Sequence, residues 1–478
     1  MESFDTATVS VSAAILALMW SLMALRWKLL ILFVISLSSF ASATQAAANG
    51  SGLVAQAMVY HNSLLEMSYS LSSANSGVAA GPLLWSPIAK CFGKSRVFFW
   101  SLILGTVCNV WSAVLTKSDQ YNNVVVPRLF ARLNDRHGNF YLHHRGKALG
   151  IYIMCTVLGV AVGPTFSGFI VENADWPVQF WYIVGLMGMC AVLCFLFLDE
   201  TTWNRENPAA SHVLELPQRP IGRRVAIYFS FHRLSDTKLL GEAALVSKLF
   251  LHPICIAIGL CLLVLFGWLV SINPLLPVFM QKPVFIGGYG FSAIRFASFS
   301  FVSWVSILAA LIYGFHTMDR LPLWLCKRRG GRWQPEFRLH CLWFPVLLVY
   351  PPALGLFVAA MYYHLHYMVV ALAVFFIAFS GMSCVPPLVS YAVEAIRPEL
   401  ANEITAVVYF WRMVLGIAIP FFIEPWIESS GADWAYGTMA FLTIFIFGVI
   451  GLLMRYGRSI RKRSFLSREQ ETDAMLAL

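Results

Sequence analysis

The chain has 478 residues, of which 59% are hydrophobic and only 12% charged, with a formal net charge of +10, and its mean hydropathy is +0.69. A soluble domain of this size needs far more surface charge, so the composition excludes one and points to a membrane protein. The positive balance is explained by membrane topology and calls for no nucleic-acid partner.

In chain order, the first apolar stretch is Val9 to Leu25, followed by Arg26 and Lys28. Glu2 and Asp5 stand where a cleavable leader carries basic residues, so residues 1–28 read as an extra N-terminal apolar helix. A helix needs about 20 apolar residues to cross roughly 30 Å of hydrocarbon. Such spans follow at Leu29 to Ala48, Met67 to Ala89, Val97 to Leu115, Leu149 to Ile170 and Val178 to Leu198. A second set lies at Ile254 to Met280, Phe291 to Phe315, Leu342 to Tyr362, Tyr367 to Val393, Thr405 to Ile423 and Tyr436 to Met454. Each is expected to be helical, because an unpaired backbone amide in lipid costs several kcal/mol. The fold class is therefore all-α and polytopic, with about eleven full spans plus the N-terminal segment.

Short loops orient the spans, since Lys and Arg stay cytoplasmic. One side collects Lys90, Lys94 and Arg96, then Arg132, Arg136, Arg145 and Lys147, then Lys327, Arg328, Arg329 and Arg332, and finally Arg455, Arg458, Arg461, Lys462 and Arg463. The other side carries mostly acids, among them Glu172, Asp175, Glu424, Glu428 and Asp433. Keeping the first two basic loops together requires a crossing between Leu115 and Arg132, and none is long enough. Only Val124 to Ala131 is apolar there, with Pro127 and Arg128 inside it, so a fourth helix is largely missing.

A polar stretch, residues 199–250 with Pro208, Pro217 and Pro220, divides the chain into halves of similar length. The predicted organisation is a first bundle at 29–198 with its fourth helix incomplete, a cytoplasmic linker at 199–250, a second six-helix bundle at 251–455 and a basic cytoplasmic tail at 456–478. Two such halves meeting around a midplane site are the layout of many secondary transporters.

Several motifs carry a resemblance. Residues 81–96 read GPLLWSPIAKCFGKSR, residues 159–168 read GVAVGPTFSG, residues 199–205 read DETTWNR, residues 329–338 read RGGRWQPEFR and residues 390–394 read SYAVE. In order and spacing they resemble the major facilitator superfamily, specifically its fungal drug:proton antiporter-like branch, over roughly Arg26 to Arg455. The resemblance implies a two-bundle fold, alternating access, a small organic substrate, protons as coupling ion and a monomer in the plasma membrane. Gly159, Gly163, Pro164 and Gly168 resemble the antiporter motif of the fifth helix. Bare glycine faces there allow close packing across the bundle interface, beside a bend at the proline. Gly93 and Lys94 resemble the cytoplasmic gating loop after the second helix. This chain departs from the pattern with Lys90 and Cys91, where the family places an acid followed by a base, and the fourth-helix motif breaks at Ala131 and Arg132 after the matching Arg128.

Polar side chains inside spans are the pathway candidates, because burying them costs energy. Gln45, Arg128, Asn273 and Tyr391 are expected to face a cavity. Arg412 reads either as part of a substrate or ion pathway or as a structural partner of Glu394, and Glu394 either as a proton carrier or as a helix-end charge. Ten cysteines without paired spacing imply neither disulfides nor a metal. No Gly-Lys-Ser/Thr phosphate loop is present, so no cofactor and no ATP coupling is expected, and the histidine pairs lie too far apart for an enzyme centre. Two functional readings remain: a proton-coupled secondary transporter of small organic molecules, with no enzymatic activity, and a transport-inactive relative serving as an interaction or sensing protein or arising as a truncated product.

Overall fold

The computed structural model describes residues 25–115, 121–132, 145–198, 225, 228–229, 239–284, 288–331, 333–396 and 400–463. Its first membrane helix does not stop at Ala48, as the fall in hydropathy suggests. Helix α1 (Leu25–Ala48) passes through a 3-10 turn at Asn49–Gly52 into α2 (Leu53–Tyr60). All four turn residues are buried. The polar Asn49-Gly-Ser-Gly run is thus an interior break in one span of 32 residues, Leu29–Tyr60, and not a loop. Its polar groups find partners inside the protein, which is the condition for irregular backbone at membrane depth.

Helix α3 (Leu64–Phe92) starts on a capping box: the Ser63 hydroxyl accepts from the Glu66 amide, and the Glu66 carboxylate accepts from the Ser63 amide. Glu66, at the mouth of this span, thereby has a local structural role. Helix α3 ends at Gly93, whose φ of 98° and ψ of 145° place it in backbone territory that is essentially glycine's alone. Helix α4 (Lys94–Val114) begins at the next residue. Gly93→Ala should destabilise this turn by about 1–3 kcal/mol, the usual cost of a strained φ. Thermal unfolding in detergent would show it; an unchanged midpoint would mean that the turn relaxes freely.

Helix α5 (Tyr121–Arg132) has 12 residues, a length of about 18 Å at 1.5 Å per residue. Helices α6 (Arg145–Asn173) and α7 (Val178–Phe197) complete the first half. The N-terminal apolar stretch Val9 to Leu25 lies, apart from its last residue, outside the described residues, as does most of 199–238. Not all of the polar stretch 199–250 is loop: its last twelve residues form α8 (Leu239–Phe250), which packs on α3 and on a helix of the second half.

Six long helical spans follow. They are α9–α10 (Pro253–Leu265, Gly267–Gln281), α11–α13 (Ala293–Phe299, Phe301–Thr317, Arg320–Arg328), a span that opens as 3-10 (Pro335–Leu342) and π (Trp343–Val349) turns before α14 (Tyr350–Tyr362), then α15 (Tyr367–Ala395), α16 (Ala401–Ser430) and α17 (Ala432–Arg463). Helix α17 runs past Met454 through Arg461, so the start of the expected basic tail is helix. Ten helices among the described residues are long and apolar enough to cross a membrane. Helix α3 has the length, 29 residues, while its serines at 68, 70, 72, 73, 76 and 86 keep its hydropathy down. The chain is an all-α integral membrane protein.

Candidate functional site

Two helix pairs join the halves. Helix α3 runs along α16: Tyr69 stacks on Phe421 with ring centroids 4.7 Å apart, and the Asn75 amide donates to the Gly416 carbonyl at 3.5 Å. On the other flank α6 meets α11 and α12. Trp304 Nε1 donates to Thr165 Oγ1 at 3.1 Å, and the Ile294 amide to Glu172 at 3.3 Å. Gly168 lets this second pair close, because a Cβ there would lie 2.6 Å from the Cβ of Ala297.

Gly159 and Gly163 serve a different contact from the one expected across the interface. They press α6 onto α1 within the same half, with a Cβ at Gly163 falling 2.5 Å from the Thr44 carbonyl oxygen and 3.0 Å from the Ala48 amide. Pro164 gives its carbonyl to the Ser51 hydroxyl at 2.7 Å, which ties α6 to the break in the first span.

Between the two pairs lies a cavity of about 170 Å³. Its walls come from α1, α3, α6 and Gly50 in the first half and from Phe266, α10, α11, α12, α15 and α16 in the second. Most of the lining is apolar, including Val160, Pro164, Phe266, Leu269, Phe296 and Met382; the polar lining is Asn75, Thr156, Ser300 and Ser303. Arg412 is the one charged side chain among the described lining residues. Its guanidinium carbon lies 4.3 Å from the Phe266 ring centroid and 4.1 Å from that of Tyr409. Helix α16 is continuous from Ala401 to Ser430, and Gly416 admits the side chain of Val270.

The remaining candidates are dispersed. Gln45 is buried on α1 but does not line the cavity, since Ala43 and Ala47 occupy the cavity side of that helix. The Asn273 side chain lies outside the described residues. Arg128 is buried on α5, where it donates to Ser70 at 3.1 Å and lies 4.9 Å from the Phe180 ring centroid. Ser70 belongs to a polar cluster that the sequence did not disclose: Asn49 donates to Ser70, Gln56 donates to Asn49 at 2.6 Å, and Gln179 joins Asn49 to Ser167. No described side chain of α5 lines the cavity, and Arg128 on it supports the first half.

Tyr391 and Glu394 sit at the basic end of the second half, away from the cavity. Glu394 pairs with Arg338 at 2.6 Å, in place of the alternative partner Arg412. Glu336 pairs with Arg461 at 2.7 Å. Tyr391 is fully buried against this cluster, its hydroxyl beside Gly457. Helix packing places Arg412 in the cavity and Glu394 near the end of α15, so no bond between them can form.

Lys90 closes the basic end between the halves. Its ammonium lies 2.8 Å from Glu403, in the first turn of α16, and 2.7 Å from Glu242 on α8. Burial opposes the Lys90 charge, but the two carboxylates outweigh that cost and raise its pKa. The departure from the family pattern is therefore compensated: the basic residue on α3 meets acids on α16 and α8. Sequence reasoning missed Glu403 and Glu242.

A helical chain folded in two halves around a cavity that both halves line has the layout of a membrane transporter. The family model described as the Major Facilitator Superfamily matches residues 138–420, more than half of the chain, and the chain belongs to that family. It is 26% identical over 408 residues to the MFS-type transporter hepF of Aspergillus oryzae, covering 81% of this chain and 79% of that one. It is 26% identical over 458 residues to the MFS-type efflux pump MFS2 of Trichophyton rubrum, covering 91% and 73%. Against the efflux pump FUBT of Fusarium oxysporum it is 24% identical and spans 65% of that protein's length. Among solved structures it shares its fold with a D-xylose-proton symporter at TM-score 0.61 and 13% identity, covering 90% of this chain and 97% of that one. The POT family transporter PepTSo matches at TM-score 0.60 and 12% identity, covering 90% and 98%.

Proposed function

We propose that this protein is a secondary active transporter that exports or exchanges small organic molecules against protons by alternating access. The observation that carries the reading is the placement of the cavity between contacts that join the halves at both ends. Toward the basic end, Lys90 on α3 holds Glu403 on α16; toward the other end, Tyr69 holds Phe421 on the same two helices. Opening the cavity on one side requires parting one set while keeping the other, which is the requirement of alternating access. The positive-inside rule assigns the basic end, with Lys90, Lys94, Arg338 and Arg461, to the cytoplasm; the C-terminus then lies there too, and we assign the chain to the plasma membrane as a monomer. Proton exchange is proposed from the resemblance to proton antiporters. The acids that could take part are Glu336, Glu394 and Glu403 at the basic end, since none lines the cavity.

Reconstituted protein exposed to labelled small organic molecules under an imposed pH gradient should accumulate at least one of them, and a protonophore should abolish the accumulation. Accumulation that survives the protonophore would remove protons as the coupling ion. The short α5, with no described side chain in the cavity wall, favours the second reading of a transport-inactive relative. No transport of any member of a broad library by folded protein would establish that reading.

The ionic latch gives a sharper test of the mechanism. Lys90→Glu places a third carboxylate beside Glu242 and Glu403 and should lower transport at least ten-fold, because the state closed at the basic end loses its cation. Lys90→Glu combined with Glu403→Lys restores an opposite-charge pair and should recover much of the rate. A double variant no better than the single one would show that the pair does not bridge the halves during transport.

A further inference from the structure

We propose that α13 and the turn after it form a seat for an anionic phospholipid of the leaflet on the basic side. The headgroup lies against Lys327, Arg328 and Arg329, and the chains lie against Leu323 and Trp324. Helix α13 (Arg320–Arg328) joins the membrane-crossing α12 to the span that opens at Pro335, and its two faces differ. Pro322 and Cys326 are buried, with Leu321 and Leu325 partly so. The opposite face is open. Arg320, Leu323, Trp324, Lys327 and Arg328 are exposed there, at the i, i+3, i+4, i+7, i+8 spacing of a single helical stripe.

The order along that stripe is a cation, an apolar pair, then two cations. Membrane topology by itself calls for cations at this end; it gives no reason for a leucine and a tryptophan exposed between them. Hydrocarbon penalises the cations and water penalises the apolar pair, so the stripe fits the boundary between the two, where tryptophan sits at headgroup level and long basic side chains reach outward. The Arg328 guanidinium lies over the Trp324 ring, 4.2 Å from its centroid, which holds the charge beside the apolar surface. Ile312 and Phe315, exposed near the end of α12, continue the apolar surface toward the membrane interior.

Charge complementarity selects the class of lipid. Arg329 is exposed directly after the helix, so four cations gather on this segment, and Asp319 is the one acid between Thr317 and Gln334. Arg338 and Arg461 nearby in the second half are held by Glu394 and Glu336, whereas Arg320, Lys327, Arg328 and Arg329 form no ion pair among the described residues. The helix end closes on itself: the Arg329 amide donates to the Leu325 carbonyl at 3.0 Å and the Gly331 amide to the Cys326 carbonyl at 2.9 Å. The positive side chains therefore face outward with no resident anion, beside exposed apolar side chains. Basic clusters next to a membrane helix attract anionic headgroups in this way, and a zwitterionic headgroup brings its own cation and gains less.

The test uses full-length protein in detergent, with bound lipid counted by native mass spectrometry. The probes are dioleoylphosphatidylserine, dioleoylphosphatidylcholine with the same chains, and glycerophosphoserine, which has the anionic headgroup without the chains. The anionic lipid should bind at least ten-fold more tightly than either of the others. Lys327→Gln with Arg328→Gln should lower its affinity at least ten-fold, while Arg455→Gln with Arg458→Gln, which removes two exposed charges from α17 at the same end, should change it less than two-fold. Leu323→Ser leaves every charge in place and should weaken the lipid at least three-fold. Hydrogen exchange in wild type needs no variant, and phosphatidylserine should slow it over residues 320–331. Equal binding of phosphatidylcholine would remove the selection by charge, and equal binding of glycerophosphoserine would make this a site for free phosphate esters; either would overturn the proposal. So would an equal loss in the α17 variant, which would mean diffuse attraction, or unchanged exchange over residues 320–331.

Discussion

Arg412→Ala should abolish or strongly alter substrate exchange while leaving membrane insertion intact. A guanidinium near the bilayer midplane costs at least about 2.5 kcal/mol to place, and contacts with aromatic faces return about 0.5–2 kcal/mol each. Removing the charge therefore costs little in folding stability. Its loss to binding is large. A hydrogen bond to a charged group contributes about 1.5–3 kcal/mol, and at 1.4 kcal/mol per factor of ten that is a ten- to hundred-fold loss of affinity. Arg455→Ala is the comparison. Arg455 is exposed at the basic end, its guanidinium 5.8 Å from the Tyr456 ring, and its removal should be nearly silent. Uptake and efflux kinetics measured on both variants decide the matter; unchanged kinetics in Arg412→Ala would take the residue out of the site.

Gly163→Leu should impair folding and transport together, by about 3 kcal/mol or more, the upper range for overpacking. The reason is the identity of the neighbours. The added Cβ falls 2.5 Å from the Thr44 carbonyl oxygen and 3.0 Å from the Ala48 amide, and backbone atoms inside a helix cannot step aside as a side chain can. Helix α1 must move, and with it Ala43, Ala47 and Gly50 in the cavity wall. A loop glycine such as Gly288 is not a suitable comparison, although its sequence position suggests one: a Cβ there collides with the Lys282 carbonyl. Gly185, exposed on α7 with no atom within 4 Å of an added Cβ, is the proper control, and Gly185→Leu should change stability by no more than about 0.5 kcal/mol. Equal expression, melting and transport in the two variants would refute the packing role of Gly163.

The sequence located the membrane spans because the cost of burying a backbone or a charge in lipid is paid residue by residue and is written locally. The eleven apolar stretches, their helical state, the positive loops on one side and the shortness of the segment around Arg128 all follow from that cost. The same argument marked Arg412 as exceptional. It failed at Asn49–Gly52, where a polar tetrad reads as a loop end because hydropathy cannot register that Ser51 meets Pro164 and Asn49 meets Ser70. It also placed Tyr391 and Glu394 with Arg412, since all three lie in late spans and nothing local assigns a residue to one end or face of the bundle.

Partnership was decided by tertiary structure alone. Lys90 and Glu403 are separated by hundreds of residues and meet only because α3 and α16 lie side by side with their basic ends aligned. Arg338 meets Glu394, and Arg461 meets Glu336, for the same reason. Ionic pairing falls off within a few ångströms, so it depends on helix rotation and register, which the arrangement of all the helices fixes together. The sequence by itself determined that this chain lives in a membrane and where it crosses. Only the packing of the two halves determined that Arg412 faces a cavity, that Lys90 joins one half to the other, and that Gln45 and Arg128 support the walls without lining them.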